Sequence, residues 1–511
     1  MARPVHDSIA DASETTPLIT DASRAPTTHD ARPVSPAPDN SPTPRQKWRV
    51  VLLLYLYAFV MILADSLCPA ALIQILEDII CADMDHHGDP IAGLGDTCKS
   101  PAVQTELAFV RGFLQMTPFF AGVVCTVPYS LLANRIGRRR VLMLSGIGLF
   151  LSLAWVLAVC YFRFLPVRWI WLSGAFLFVG GGDPVMSTVA HVMITDTVER
   201  PQRAQIFLCL HAADVLGGFV GPVIAAALMA NGHAWIVLLL GACIMLFAAL
   251  VITSLIPETL YFSQSSAVMT STSTSHEADG SSSASPVDRA KASGSLFAPL
   301  RRMLASNPQA ILLLSIFTPQ TAARELFNNL GLQYSNVKFG LSYARGNLII
   351  SLFQAVQGLV ALVLLPFITR VLAKPLGWSP WSRDRRYAVF SMSMTAAGLF
   401  VIALAPVFAV EILGLLLVAL GSCTNGLLTS LMGGAVPSGS AGAIYSSALT
   451  LSIVSRTLSG PIFSALLVAG FNLGWQWYGL PFAVMAAFML CEFGSAFLIM
   501  SERVESPESE D

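Results

Sequence analysis

Long apolar segments alternate with short polar segments along most of the chain. The apolar runs fall near residues 50–76, 106–133, 141–162, 168–194, 205–230 and 233–256, and then near 309–333, 346–371, 387–406, 409–432, 441–470 and 475–500. Each run is close to the ~20 residues that a helix needs to cross a bilayer. The pattern therefore predicts an all-α membrane protein with about twelve transmembrane helices.

The polar segments divide these runs into two groups of six. Residues 1–47 are rich in Pro, Ser, Thr, Asp and Ala, so we expect a disordered tail there. Residues 257–308 are dominated by Ser, Ala and Thr in their centre, which is typical of a flexible linker. The predicted bundles of six helices span 48–256 and 309–500, and a short tail spans 501–511.

Composition supports a membrane protein and excludes an ordinary soluble domain. Hydrophobic residues make up 54% of the 511 residues and charged residues 12%. Soluble proteins contain about twice that share of charged residues, roughly 25%. The formal net charge is −1, because charges of both signs are collected in the tails and loops. We therefore expect the lipid bilayer as the surroundings of the chain and no nucleic-acid partner.

Lys and Arg are concentrated in alternate loops, and this predicts the orientation in the membrane. Cytoplasmic loops of membrane proteins carry an excess of these residues. With the N-terminus in the cytoplasm, the basic residues collect in the first tail, in the loops after the second, fourth and eighth runs, and in the linker. The opposite loops are poorer in Lys and Arg, and the first of them is acidic. Both predicted tails are therefore expected to be cytoplasmic.

The loop between the second and third runs is short and strongly basic. Its residues include Asn134, Arg135, Gly137, Arg138 and Arg139. A turn with this much positive charge does not cross a bilayer easily. The pattern closely resembles the loop that joins helices 2 and 3 in transporters of the major facilitator superfamily.

This resemblance extends over nearly all of the chain from Trp48 to about Met500, because six helices, a polar linker and six more helices are the layout of that superfamily. It implies the major facilitator fold, in which two six-helix bundles rock about a central site near the bilayer midplane. It also implies secondary active transport of a small molecule, with the basic loop acting as a gating loop.

The fifth run contains a motif of small residues. Gly217 and Gly221 are four residues apart, and Pro222 follows. The segment is similar to a motif that drug:proton antiporters of the superfamily carry, although Ala225 and Ala226 replace its last two glycines. The similarity implies export. Small residues at this spacing also pack membrane helices together in proteins that export nothing, so the motif has a purely structural interpretation as well.

Three carboxylates fall inside apolar runs of the first half. Asp65 precedes Pro69 in the first run, as in drug:proton antiporters, and Asp183 follows three glycines in the fourth. In the fifth run, Asp214 lies three residues after His211, on the same helix face. Carboxylates inside membrane helices are costly and commonly functional. We interpret these four polar residues as part of a substrate or proton pathway. A helix-end position for Asp65, a backbone-bonded Asp183 and an interhelical hydrogen-bonded His211–Asp214 pair are the structural alternatives.

The fourth run departs from the antiporter pattern. Drug:proton antiporters usually place an Arg one turn before a glycine-rich segment, whereas here no Arg lies one turn before Gly180 to Gly182. This departure leaves proton-coupled uptake of a nutrient or precursor as an alternative to export. Two polar residues at the end of the run, His191 and Asp196, are interpreted as interface or loop residues.

Polar side chains in the second group of runs form the other half of the predicted pathway. Several lie three or four residues apart and therefore share helix faces. They are Arg324, Glu325 and Asn328 in the seventh run, Gln354 and Gln357 in the eighth, Asn425 in the tenth and Arg456 in the eleventh. Arg456 has three interpretations: it neutralises a carboxylate, binds an acidic substrate, or extends its charged group to the membrane surface.

The sequence contains no metal-ligand cluster, phosphate-binding loop or hydrolase motif. We therefore expect no enzyme activity, no metal and no cofactor, and transport driven by a gradient. A membrane sensor that transports nothing is a more distant alternative, which the short and low-complexity tails and linker do not favour.

Several features resemble fungal members of the superfamily, among them the Ser-rich linker and the Pro-Glu-Thr-Leu segment that ends at Leu260. The segment from Gly180 onwards also resembles fungal relatives of proton-coupled folate-type carriers. The expected partners are protons and a small organic compound, such as a secondary metabolite or toxin, and the expected state is a monomer. We expect the protein to be located in the plasma membrane. An acidic dileucine-like segment over 14–19 leaves a vacuolar or other internal membrane as an alternative location. Cys81 and Cys98 share one loop as a disulfide or as two free thiols.

Overall fold

The computed structural model describes residues 43–85, 97–260, 308–373, 375–435 and 441–502. The described residues form twelve helical units, numbered here α1 to α12, and contain no β-strand. The predicted tails and linker lie outside the described residues, apart from their edges.

The first six helical units follow the first six apolar runs. They are α1 (Pro44–Asp85), α2 (Pro101–Ile136), α3 (Arg138–Phe162), α4 (Val167–Leu172, Ser173–Phe176 and Gly182–Thr197), α5 (Arg200–Ala230) and α6 (Ala234–Leu255). The largest difference in bounds is at α1, which continues to Asp85.

The other six units follow the second group of runs. They are α7 (Pro308–Leu326, Phe327–Gly331 and Leu332–Phe339), α8 (Tyr343–Leu359, Val360–Leu364, Leu365–Ile368 and Thr369–Ala373), α9 (Pro380–Leu404), α10 (Phe408–Leu420 and Thr424–Ala435), α11 (Ala441–Leu473) and α12 (Leu480–Glu502). Phe327–Gly331 in α7 forms a π-helical turn, as do two segments of α8.

Nine of these units, within the described ranges, are long and apolar enough to cross a membrane. The units outside this group are α4, which is interrupted, α7, which carries many polar residues, and α12, whose described apolar part is Leu480–Glu492. Large apolar side chains also cover the outside of the helices: Leu52 is 68% exposed and Val127 is 67% exposed. Such a surface suits contact with lipid. The fold class predicted from the apolar runs, an all-α membrane protein, is therefore confirmed.

Two of the helices begin with the same local signal. Ser100 precedes Pro101 at the start of α2, and Ser379 precedes Pro380 at the start of α9. Each serine side chain accepts a hydrogen bond from a backbone N–H in the first turn, and proline suits the first helical position because it has no N–H to satisfy.

The interruption in α4 results from three consecutive glycines. Gly180, Gly181 and Gly182 have φ values of +92°, +79° and +63°, which side chains with a Cβ rarely adopt. Ser145 Oγ on α3 donates a 2.6 Å hydrogen bond to the Gly180 carbonyl oxygen and holds the interruption in place. The second part of α4 therefore starts anew at Gly182, with Asp183 in its first turn.

The two ends of the molecule are distinguished by their loops. The end that contains the Arg135–Arg140 loop, between α2 and α3, is called the Arg-rich end. The end that contains Cys81 and Cys98, between α1 and α2, is called the disulfide end.

Candidate functional site

A cavity of about 780 Å³ lies between the two groups of six helices and is lined by α1, α5, α8, α9 and α10. Residues predicted from the sequence line its wall: His211, Asp214, Gln354, Gln357 and Asn425. The lining continues along α8 to Arg370, close to the α8–α9 loop, so the cavity reaches the Arg-rich end. Its volume lies within the roughly 300–1,000 Å³ of typical small-molecule sites.

An ion pair lies in the cavity wall near the Arg-rich end. Arg383 Nη2 lies 2.7 Å from Asp384 Oδ1, and Ser430 Oγ donates a 2.6 Å hydrogen bond to Asp384 Oδ2. The Arg383 charge is therefore neutralised locally. Ser430 lies on α10, so Asp384 also connects α9 to α10.

Asp183 lies on α4, in the first group of helices, near charged residues of the second group. Its side chain is exposed, although it belongs to a membrane helix. It lies within electrostatic range of Arg456 on α11 and Glu325 on α7. The second part of α4 begins at Gly182, and its N-terminal end also favours a carboxylate at Asp183, because the N-terminal end of a helix carries a partial positive charge.

Asp65 lies in the middle of α1 and not at a helix end. Its side chain is exposed as well, and it lies within electrostatic range of Asp183 and Glu325. The structure thus places carboxylates from α1, α4 and α7 near one another.

Arg456 neutralises a carboxylate, which is the first of its three sequence interpretations. Its Nη2 atom lies 2.7 Å from Glu325 Oε1, and its guanidinium carbon lies 4.2 Å from the centre of the Phe119 ring on α2. The arginine thus contacts helices of both groups. On the same stretch of α7, Asn328 is half-buried in the π-helical turn, and the Arg324 side chain lies outside the described residues.

His191 belongs to the helix α4 and lies near the cavity carboxylates, rather than in a loop. It lies within electrostatic range of Asp214, and its ring stacks at 5.2 Å from Phe207. Asp183, Ser187 and His191 are four residues apart and share a helix face. That spacing was available in the sequence and is the signal that would have found His191. His211 also lines the cavity, and its side chain is not without an interaction partner.

The Arg-rich loop is bound to neighbouring helices by some of its residues. Gly137 has a φ of +105° between α2 and α3. Arg138 forms a 2.6 Å ion pair with Asp196 of α4, and Glu258, just after α6, accepts hydrogen bonds from the backbone N–H groups of Arg138 and Arg139 at 2.8 and 3.2 Å. Asn134 and Arg135 are exposed. The loop therefore connects α2 and α3 to the ends of α4 and α6.

The small residues of α5 pack against α1. A Cβ atom at Gly217 would lie 2.8 Å from the Phe59 carbonyl oxygen, and one at Gly221 would lie 2.9 Å from the Leu63 carbonyl oxygen and overlap Ser66 Oγ. Pro222 lies inside the same helix. The motif thus has a packing role here whatever else it does.

A buried polar network joins the two groups of helices at the disulfide end. Gln333 on α7 donates 3.0 Å hydrogen bonds to the backbone and side-chain oxygens of Gln104 on α2. Gln104 in turn donates to Glu77 Oε1 at 2.6 Å and to the Cys98 carbonyl oxygen at 3.2 Å. Gln104 and Gln333 are fully buried. The network closes this end of the molecule.

Arg111 on α2 strengthens this closure through the π-helical turn of α7. It donates to Gln333 Oε1 at 3.3 Å and to the Asn329 carbonyl oxygen. A π-helical turn disturbs the regular backbone hydrogen bonding of a helix and is frequent at functional sites. Within the described residues, Arg111 forms no ion pair with a carboxylate. The sequence analysis missed Arg111, although a lone arginine inside an apolar run is itself a signal.

Cys81 and Cys98 form a disulfide, which decides between the two alternatives left open by the sequence. The disulfide joins the end of α1 to the short helix Thr97–Lys99. Because the Cys98 carbonyl accepts from Gln104, the disulfide lies directly beside the buried network.

Comparison with known proteins identifies the relatives of this fold and site. The sequence model of one family, described as Major Facilitator Superfamily, matches residues 54–459. The chain is 28% identical to the MFS-type transporter avaK of Aspergillus versicolor over 452 residues, which cover 87% of this chain and 91% of that protein. It is also 28% identical to the MFS efflux pump atnC of Emericella nidulans over 485 residues, which cover 94% and 92%.

Solved structures show a similar fold at low sequence identity. A D-xylose-proton symporter aligns with a TM-score of 0.59 and 14% identity, covering 86% of this chain and 97% of the symporter. The human organic anion transporter MFSD10 aligns with a TM-score of 0.51 and 17% identity, covering 88% and 99%. At this identity the likeness concerns the fold alone.

Proposed function

The chain belongs to the major facilitator superfamily, and we propose that it exports a small organic compound in exchange for protons. It is a multi-pass membrane transporter and not an enzyme. The observation that carries the proposal is the central cavity, which reaches the Arg-rich end while a buried network closes the disulfide end.

The excess of Lys and Arg supports placing the Arg-rich end in the cytoplasm. In that orientation the cavity is open to the cytoplasm and closed to the opposite side. This is the state in which an exporter takes up its substrate. Rocking of the two groups of helices would then open the disulfide end and release the compound.

The acidic residues around the cavity support coupling to protons. Asp65, Asp183 and Asp214 come from three helices, and each lies within electrostatic range of another carboxylate. Because like charges close together favour uptake of a proton, such a cluster binds and releases protons as its surroundings change. His191 lies within electrostatic range of Asp214 and adds a basic side chain to the cluster.

The relatives support export over uptake. The chain spans most of two relatives that are named efflux pumps, atnC and, at 26% identity over 430 residues, ustT of Aspergillus flavus. The α5 motif of Gly217, Gly221 and Pro222 supports the same direction by resemblance. We place the protein in the plasma membrane, where export removes a compound from the cell.

Metabolite profiling tests this proposal. A strain that carries the gene is compared with a strain that lacks it, and compounds are quantified in the medium and in cell extracts. We expect at least one organic compound to disappear from the medium and to accumulate in the cells when the gene is absent. A compound that instead remains unconsumed in the medium of the deletion strain would indicate uptake and contradict the proposal.

A further inference from the structure

A smaller space lies behind the wall of the central cavity. Its volume is about 30 Å³, and it is lined by residues of α7, α8, α9 and α10. Gln357, Ser422 and Asn425 line both the small space and the central cavity, so the two are adjacent. By size, the small space holds about two heavy atoms.

The interruption of α10 creates this space. The helix stops at Leu420 and resumes at Thr424. The Gly421 carbonyl accepts hydrogen bonds from Ser391 Oγ at 2.7 Å and from Thr424 Oγ1 at 2.8 Å, so these hydroxyl groups are satisfied within the protein. Interrupted helices of transporters commonly line substrate sites, because their ends present polar groups.

Other polar atoms around the space lack a partner. Gln320 Nε2, Ser422 Oγ and Asn425 Oδ1 are buried and form no hydrogen bond with any residue that the structure describes. The Gln320 side chain is only 4% exposed. A buried polar atom without a partner destabilises the folded state, so folding alone does not explain this set.

We propose that Gln320, Ser422 and Asn425 form a subsite that binds a neutral hydrogen-bonding group of the transported compound. Gln320 Nε2 donates to an acceptor of the compound, Asn425 Oδ1 accepts from a donor, and the Ser422 hydroxyl does either. The remainder of the compound occupies the central cavity. This inference rests on the proposed function, since it assumes that the cavity binds a transported compound.

The chemistry of the lining selects the class of group. None of the described residues around the small space is ionisable. A carboxylate or ammonium group would lose its water there without gaining an opposite charge, which is unfavourable. A group of about two heavy atoms that presents a donor beside an acceptor matches the edge of a cis-amide or lactam. We therefore assign lactams and similar amides as the substrate class that this subsite recognises.

The test uses three probe compounds with the same bicyclic ring: 2-quinolone, N-methyl-2-quinolone and quinoline-2-carboxylate. Their affinities for the purified full-length protein are obtained from the rise of its melting temperature with ligand concentration. We expect the lactam to bind roughly fivefold or more tightly than either of the other compounds, because each lost buried hydrogen bond is worth about that factor.

Gln320→Leu and Asn336→Leu form a matched pair of variants on α7. The Asn336 amide is buried as well, but it donates to the Leu341 carbonyl oxygen at 2.8 Å. Gln320→Leu should weaken lactam binding roughly fivefold and leave the melting temperature without ligand equal or higher, since within the described residues Gln320 Nε2 has no hydrogen bond to lose. Asn336→Leu should lower that melting temperature and leave the affinity for the lactam unchanged. Ser422→Ala provides a second subsite variant.

Several results would overturn the subsite: unchanged lactam affinity in both Gln320→Leu and Ser422→Ala, equally tight binding of the carboxylate, or no binding of any probe by the wild-type protein. The measurement does not require transport. Selective lactam binding by a protein that moves no compound would support the subsite and contradict the proposed function.

Discussion

Asp183 shows how a single residue acquires its environment from the local sequence. Three glycines interrupt α4, and the helix resumes with Asp183 in its first turn. The carboxylate then lies within electrostatic range of Arg456, which is itself paired with Glu325. An acidic substrate would therefore meet an arginine that is already neutralised, which favours protons or uncharged compounds at this point of the pathway.

Replacing Asp183 tests its role in proton coupling. Asp183→Asn keeps the size of the side chain but removes its titration, so transport should lose most of its dependence on pH. The initial rate of transport as a function of pH is the measurement. Asp83→Asn is the matched control, because Asp83 forms an exposed ion pair with Arg163 at the disulfide end. An unchanged profile in Asp183→Asn would remove this residue from the coupling mechanism.

Close helix packing determines what can be changed in α5. A Cβ atom added at Gly221 would meet Ser66 and the Leu63 carbonyl of α1. A Cβ atom added at Gly426 of α10 would point into open space. Adding a methyl group to Gly221 forces α1 and α5 apart, and adding one to Gly426 does not.

We therefore expect Gly221→Ala to lower the free energy of unfolding by roughly 1–3 kcal/mol. Gly426→Ala should be neutral or should stabilise the protein by up to about 1 kcal/mol, because alanine is the better helix former. Thermal or denaturant unfolding of both variants is the measurement. Equal stability of the two variants would show that the α1–α5 contact tolerates separation.

The buried network at the disulfide end is a second contact between helices. Gln333 connects α7 to α2 through Gln104 and Arg111. Among the groups that bond to Gln333 in these contacts, the Arg111 guanidinium is charged and the Gln104 groups are not. Contacts of this kind hold two helices together more weakly than an ion pair in the same place, which suits an interface that opens and closes.

Loss of Gln333 should shift the molecule towards the state that is open at the disulfide end. Gln333→Ala removes the contacts to Gln104 and to Arg111 Nη1, so amide hydrogen exchange in 101–115 should become roughly tenfold faster or more. Exchange around the cavity mouth, near 365–387, should slow down in return. Asn336→Ala is the control, since its amide bonds only within its own neighbourhood. Faster exchange at both ends would indicate simple loss of stability instead of a shift between two states.

At the scale of the whole molecule, the physical demands of the bilayer made the fold predictable. A membrane helix is usually apolar over about 20 residues, so most of the helices can be recognised in the sequence without reference to their neighbours. The same rule singled out Asp65 and Asp183 as lone carboxylates in apolar runs. Gln354, Gln357 and Asn425 were found because their spacing or position marked a polar helix face, and all of them line the cavity.

Pairings between distant helices were not predictable in this way. Arg111 binds a backbone carbonyl that lies in a π-helical turn of α7, and no local pattern marks either partner for the other. Gln320 was missed for a different reason: an isolated glutamine shows no spacing signal, and its significance comes from an interruption in α10 that lies far away in the sequence. Sequence reasoning therefore found the polar faces of single helices, whereas the contacts between helices required the structure.

The central claim is that the molecule couples export to proton entry. The most direct test uses the compound identified by metabolite profiling and inside-out vesicles that contain the purified protein. With an acidic lumen, the compound should accumulate inside against its gradient, and a protonophore should abolish the accumulation. Accumulation that requires an alkaline lumen, or that persists with the protonophore, would contradict proton-coupled export.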